Sequence, residues 1–186
     1  MVLKTDKSDN ELAVLAAGGN EQAFREILSR FRSKLIGISM RMLRNKTEAE
    51  EAAQDSFVKV YIHLSEFDPE RNFAAWIAGI TINECRDRLR KRSRFKKTFV
   101  ESTDLISQSA AAPDKVDLEN KARLDAVEEA LEKLPDKLKE VLILKAYGDY
   151  SYDEIAESLG IKTGTVMSRL FRAREKLTEL TDTGDR

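Results

Sequence analysis

Cysteine and histidine are almost missing from this chain of 186 residues. Cys85 stands alone, so no internal disulfide framework is possible. His63 also stands alone, and one Cys with one His cannot supply the ligand set of a structural zinc site. Both read as structural side chains. Cys85, inside the apolar stretch "WIAGITINECRDRL", reads as a buried thiol that packs as a small hydrophobe. There is no apolar run of the ~18 residues that a membrane span needs, so no direct membrane insertion is expected. The N-terminus "MVLKTDKSDNELAVLAAGGN" lacks a basic start followed by an apolar core, which argues against a signal peptide and for a cytoplasmic location. A glycine-rich phosphate loop is absent too. "GIKTGT" resembles one only superficially, without its Gly-Lys-Ser/Thr. With no metal constellation and no nucleophile paired to a histidine, neither an enzyme nor a cofactor is expected.

What is present is charge and helical periodicity. Charged residues make up 35% of the chain and hydrophobic residues 41%, with only three prolines and eight glycines. The formal net charge is −1, which alone argues against a nucleic-acid binder. The charge is segregated, however. Residues 86–97 carry eight Lys/Arg against one acid, residues 101–140 carry eleven Asp/Glu against six Lys/Arg, and residues 162–176 carry five bases against one acid. Two cationic surfaces can hide behind a near-neutral total.

The apolar spacing predicts an all-α protein. Phe24, Ile27, Leu28, Phe31, Leu35, Ile38 and Met42 recur at three and four residues, the pattern of an amphipathic helix. Thr47 followed by Glu50 predicts a capping box, with Ala53, Phe57, Tyr61 and Leu64 on one buried face beyond it. "EFDPERN" predicts a turn, and a further helix is predicted from about Phe73 to Lys91. In that helix Gly79, Asn83, Arg86 and Arg90 form a polar stripe between two apolar sides. Periodicity then fades through "ESTDLISQSAAAPD", which reads as a flexible linker. The organisation predicted is a helical domain over residues 9–93, a linker over 94–116 that holds two lobes apart, and a second helical domain over 117–181.

The second domain contains "SYDEIAESLGIKTGTVMSRLFRAREKL". Ser151 and Glu154 make a capping box; Tyr152, Ile155, Ala156 and Leu159 share one face; Gly160 stops the helix and Thr163 can cap the next. This is helix–turn–helix grammar, whose second helix enters the major groove of DNA. At about 100° per residue, Val166, Leu170, Ala173 and Leu177 make its core stripe. Ser168, Phe171 and Arg172 then point outward, and Arg169 and Arg174 flank them. Arg and Ser suit base edges, Phe suits a thymine methyl or a sugar, and flanking Arg residues and Lys176 suit phosphates.

These residues resemble the extracytoplasmic-function (ECF) sigma factors of bacterial RNA polymerase. "LPDKLKEVLILKAYGDYSYDEIAESLGIKTGTVMSRLFRAREKL" looks like their C-terminal DNA-binding region, sigma region four, and "EAEEAAQDSF", "FAAWIAGITIN" and "RDRLRKR" look like pieces of their N-terminal region two. The resemblance implies a sigma factor that binds core RNA polymerase and directs promoter-specific initiation, under a stress or envelope signal. The upstream promoter element would be read by Thr165, Ser168, Arg169, Phe171, Arg172 and Arg174. Phe67, Arg71, Asn83, Arg86 and Arg90 would read and open the downstream element, with Asn83 matching a position that helps hold an extruded base. Glu48, Glu51, Gln54 and Asp55 would dock on the polymerase clamp. An anti-sigma factor, often membrane-bound in the family, would clamp the two regions and hold the protein at the inner membrane. Met167 departs from the pattern, since many relatives carry Lys or Arg there.

Two alternatives use the same helix–turn–helix differently. A stand-alone transcriptional regulator would need a sensing domain or a dimer helix, and residues 1–120 offer none. A sigma mimic that titrates an inhibitor should lose its DNA-facing bases, yet Arg172, Arg174 and the 86–97 block are present.

Overall fold

The computed structural model describes residues 6–99 and 118–182, with side chains for residues 6–95 and 126–181. Every regular element among the described residues is helical. Asp9–Ala17 (α1) starts on a reciprocal cap: the Ser8 hydroxyl accepts from the Glu11 amide at 3.2 Å, and the Glu11 carboxylate accepts from the Ser8 amide at 2.7 Å. Glu21–Leu43 (α2) is capped by the Asn20 side chain, and Lys46–His63 (α3) by Asn45. The cap read at Thr47 is therefore displaced. Asn45 offers a carbonyl oxygen to the Glu48 amide at 2.9 Å, so the helix has already begun when Thr47 is reached.

A 3-10 turn, Leu64–Glu66, and the loop beyond it lead into Phe73–Phe99 (α4). That helix is longer than periodicity indicated and runs into the stretch read as linker; the remainder of that stretch lies outside the described residues. Leu12, Ile27, Phe31, Leu35, Val60, Phe73 and Ile77 bring α1 to α4 around one core. Burying such side chains contributes about 1.5–3 kcal/mol each. Tyr61 does not join them as expected. It is 63% exposed, and its ring meets Phe24 edge-on with ring centres 5.0 Å apart.

The second half comprises Leu118–Lys133 (α5), Asp136–Ala146 (α6), Tyr152–Leu159 (α7) and Thr163–Asp182 (α8). Ser151 and Glu154 form the expected capping box, and Gly160 takes the left-handed conformation at φ 64°. Thr163 does not cap α8. It is the helix's first residue, and its hydroxyl donates instead to Asp153 at 2.8 Å, tying the two helices of the motif together.

The lobes are not held apart. Helix α7 lies across α4, and α6 packs against α2. A second core is shared between them: Ile38, Met42, Ala78, Ile82 and Cys85 from the first lobe meet Val141, Leu144, Tyr150, Ile155, Val166 and Leu170 from the second. Tyr150 is buried in this seam, with the Lys34 ammonium 4.6 Å from its ring centre and no protein partner for its hydroxyl. Periodicity identified the apolar faces correctly, but it carries no information on which element covers them.

Candidate nucleic-acid interface

Helix α8 presents the second lobe's cationic face. Val166, Leu170 and Ala173 are buried, which turns Ser168, Phe171, Arg172 and Arg174 outward and leaves Thr165 and Arg169 half-buried at the sides. Phe171 is 63% exposed and Met167 50%. The Ser168 hydroxyl donates to the Thr165 carbonyl at 3.0 Å and keeps its lone pairs free to accept. The Arg169, Arg172 and Arg174 side chains form no ion pair with any described residue. Unpaired guanidiniums and an exposed ring on one helix face suit a polyanion with an apolar feature in its groove.

The first lobe carries a second surface along α4. An open cavity of about 350 Å³ lies between α3 and α4, lined by Lys59, His63, Glu66, Trp76, Ile80 and Asn83. An indole wall for stacking beside an amide, an imidazole and an ammonium is what an unstacked base requires. Of these six, only Asn83 was singled out from sequence. Lone His63 read as structural, but it is exposed and its Nδ1 lies 3.1 Å from a Glu66 carboxylate oxygen. With the proton on Nδ1, Nε2 is left to accept. Trp76 read as part of an apolar side, and a stacking role for it has no signature in spacing. A second trough adjoins the cavity through Lys59 and is lined by Arg90, Lys91 and Arg94 together with the carboxylates of Glu84 and Asp87.

Phe67 belongs elsewhere. It is 8% exposed and packs against Phe73 and Trp76, with ring centres 5.2 Å apart in both pairs. Its ring therefore supports the loop from beneath. Arg71 and Asn72 stand at the loop's end. Arg71 Nε donates to Glu157 at 2.8 Å, and Asn72 Nδ2 to Glu154 at 3.1 Å, both acceptors being on α7. Arg86 meets the buried Glu140 of α6 through two hydrogen bonds of 2.5 and 2.6 Å. Its remaining nitrogen, Nη1, donates to the Asn83 amide oxygen at 2.9 Å. The bonds to Glu140 outweigh burial and hold the Arg86 guanidinium firmly charged. Asn83 is thus oriented, through Arg86, by a carboxylate of the other lobe.

The acidic face of α3 is organised by one arginine. Glu51, Gln54 and Asp55 are exposed and Glu48 half-buried. Arg88 of α4 reaches Glu51 at 3.1 Å, a carboxylate oxygen of Asp55, and Glu84 at 2.9 Å. Burial works against the Arg88 charge, but the three carboxylates raise its pKa above the ordinary arginine value. Glu84 also takes Lys59 at 2.5 Å; despite its burial, these two cations hold it below the usual carboxylate range. Sequence reading placed Arg88 in an undifferentiated basic block and missed this role.

Comparison with known proteins finds family matches to two parts of the chain. The family model for sigma-70 region 2 matches residues 27–95, and that for sigma-70 region 4 matches residues 124–177. The chain is 34% identical to the ECF RNA polymerase sigma factor SigW of Bacillus subtilis over 86% of this chain and 89% of that one. It is 33% identical to the RNA polymerase sigma factor CnrH of Cupriavidus metallidurans over 97% of both. Among solved structures, CnrH in complex with the cytosolic domain of CnrY superposes with a TM-score of 0.73 at 30% identity, covering 97% of this chain and 100% of that one. The sigma factor RpoE bound to the anti-sigma factor NepR from Bartonella quintana gives 0.71 at 27% identity, over 88% and 98%. With both halves of an all-α architecture matched in order and over nearly the full length of its relatives, the chain belongs to the ECF sigma factors of RNA polymerase.

Proposed function

We propose that this protein binds core RNA polymerase and directs promoter-specific initiation. In this reading α8 docks in the major groove of the upstream element, where Arg172 and Ser168 address base edges, Phe171 contacts a methyl or sugar, and Arg169, Arg174 and Thr165 fix the register on the backbone. Asn83 and the cavity beside it take an extruded base of the downstream element, with Arg71, Arg86 and Arg90 facing the opened strand. Glu48, Glu51, Gln54 and Asp55 make the polymerase contact. The strongest support is the coexistence of an unpaired cationic face on α8 with a stacking cavity on α4: a protein that only read duplex DNA would have no use for the cavity.

An anti-sigma partner belongs to the same proposal. It is supported by the two solved neighbours, CnrH and RpoE, whose structures are complexes with CnrY and with the anti-sigma factor NepR. Control by a stress or envelope signal, and retention at the inner membrane through that partner, follow from it.

The test is run-off transcription with purified core polymerase on a library of promoter fragments, with and without the protein. Discrete new start sites that require the protein are expected. No new starts, together with no binding to core polymerase, would overturn the proposal.

A further inference from the structure

Helix α1 lies outside the region 2 match, which begins at residue 27. One of its side chains nevertheless reaches three backbone groups around the loop that precedes α4. Asn10 Nδ2 donates to the Pro69 carbonyl at 2.9 Å and to the Arg71 carbonyl at 2.6 Å, and Asn10 Oδ1 accepts from the Phe73 amide at 3.0 Å. Only an amide combines two N–H donors with a carbonyl acceptor in so short a side chain. The Phe73 amide is one of the orphan donors at the start of α4, and the Ala75 amide goes to Asn72 Oδ1 at 2.9 Å. Asn10 thus caps α4 and ties down the loop with the same group. It is itself anchored from two sides. The Ser8–Glu11 cap starts its helix, and Arg30 of α2 reaches Asp9 at 2.9 Å and the Lys7 carbonyl at 2.8 Å. Within the first lobe, Phe67 anchors the loop's start and Asn10 its end, while Asp68 closes the turn between them by accepting from the Glu70 and Arg71 amides. Residues 68–72 are exposed. The loop adjoins the cavity, since Glu66 just before it and Trp76, on which Phe67 packs, both line that cavity.

We propose that Asn10 is a positioning residue for downstream-element recognition. It acts through the loop and not by touching DNA: its three hydrogen bonds hold residues 67–73 in one shape, so that the exposed residues 68–72 stand in a fixed relation to the cavity. A loop free to change shape re-forms its contacts around several bases and discriminates poorly between them. A loop held in one shape leaves a wrong base facing unpaired polar groups, which is what rejects it. Helix α1 is then part of the reading apparatus, as the support that carries the clamp. The promoter consequence rests on the function proposed above, whereas the ordering of the loop by Asn10 does not.

Three full-length variants test this. Asn10→Ala removes the clamp. Asn10→Asp keeps the size and the acceptor for Phe73, but loses both donors and sets a carboxylate against two carbonyls. Asn20→Ala removes an asparagine cap of the same kind from α2, where it serves the Ala23 amide, and so controls for lost stability. Amide hydrogen exchange followed by NMR reads the loop directly. Exchange at Glu70 and Arg71 should rise about tenfold in both Asn10 variants, exchange at Phe73 about tenfold in Asn10→Ala alone, and neither in Asn20→Ala. Run-off transcription with core polymerase reads selectivity, as the ratio of yields from a promoter and its single-base downstream variants. That ratio should fall about fivefold or more in both Asn10 variants, with discrimination among upstream variants unchanged. If Asn10→Ala fails to fold, the isosteric Asn10→Asp decides by the same readouts. Unchanged loop exchange in a folded Asn10 variant, an equal loosening in Asn20→Ala, or a loosened loop with wild-type downstream selectivity would each overturn the proposal. Absence of start sites with the wild-type protein would overturn the promoter role together with the reading it rests on, while the exchange result would still decide whether Asn10 orders the loop.

Discussion

Cys85 and Arg172 illustrate what single residues contribute. Burial pushes the Cys85 thiol from the ordinary 9.0 up to about 11, and the bond to Ser39 offsets this only in part. At pH 8 the thiolate fraction is then about 100-fold below that of an unfolded chain. Iodoacetamide should accordingly label native protein at least about 100-fold more slowly than protein in urea, by mass spectrometry of quenched samples. The stability that the neutral thiol contributes is complete below about pH 9 and is lost as the pH rises towards about 11. Arg172 lies at the opposite extreme, exposed and without a carboxylate partner. Arg172→Ala should weaken transcription from a matched promoter by about tenfold or more, as losing a bidentate base contact costs about 1–3 kcal/mol. Equal run-off yields from wild type and variant would remove Arg172 from the reading set. The α8 residues were legible because a 3.6-residue period fixes both faces once the buried stripe is known. Phe67 and Tyr61 were not: an aromatic near a helix end is buried or exposed according to which neighbour happens to reach it.

Elements were legible where a local cap announced them. Ser151 is the clearest case, its hydroxyl accepting from the Glu154 amide at 3.2 Å while Glu154 returns a bond to the Ser151 amide at 2.7 Å. Ser151→Ala should cost about 1 kcal/mol, or roughly 2–4 °C of Tm, in a thermal melt followed by circular dichroism. An unchanged melt would mean that α7 is held by its packing on α4 alone. Where caps compete, local grammar fails. Asn45 precedes Thr47 and captures the start of α3, so the capping-box pattern two residues on goes unused. Helix α4 failed differently: its polar run from Arg90 continues as helix to Phe99 although only Phe95 and Phe99 repeat there at helical spacing, too few to signal it. The cavity between α3 and α4 was invisible for a third reason, since Lys59, His63 and Trp76 come together only when two helices pack side by side.

At the scale of the whole molecule, opposite charges meet across an interface, and only the Arg86–Glu140 link joins two of the charge blocks noticed in the sequence. The acidic second lobe supplies carboxylates to a cationic first lobe, but these links are unequal. Arg71 and Glu157 are half and a quarter exposed, whereas Glu140 is 2% exposed. A double-mutant cycle on Arg71 and Glu157 by urea unfolding should give a coupling below about 1 kcal/mol, and one on Arg86 and Glu140 at least about 2 kcal/mol. Similar couplings for the two pairs would refute this ranking. Tyr150 acts in the other direction. Its hydroxyl is buried without a protein hydrogen-bond partner while the seam is shut, and exposure to solvent on opening is worth about 1–3 kcal/mol. Tyr150→Phe should remove that incentive and leave the radius of gyration compact under conditions that expand wild type. A single oxygen atom thus acts as a threshold setting. It moves the ratio of shut to open molecules by about 5- to 150-fold, and hence the amount of polymerase or DNA needed to spring the chain apart.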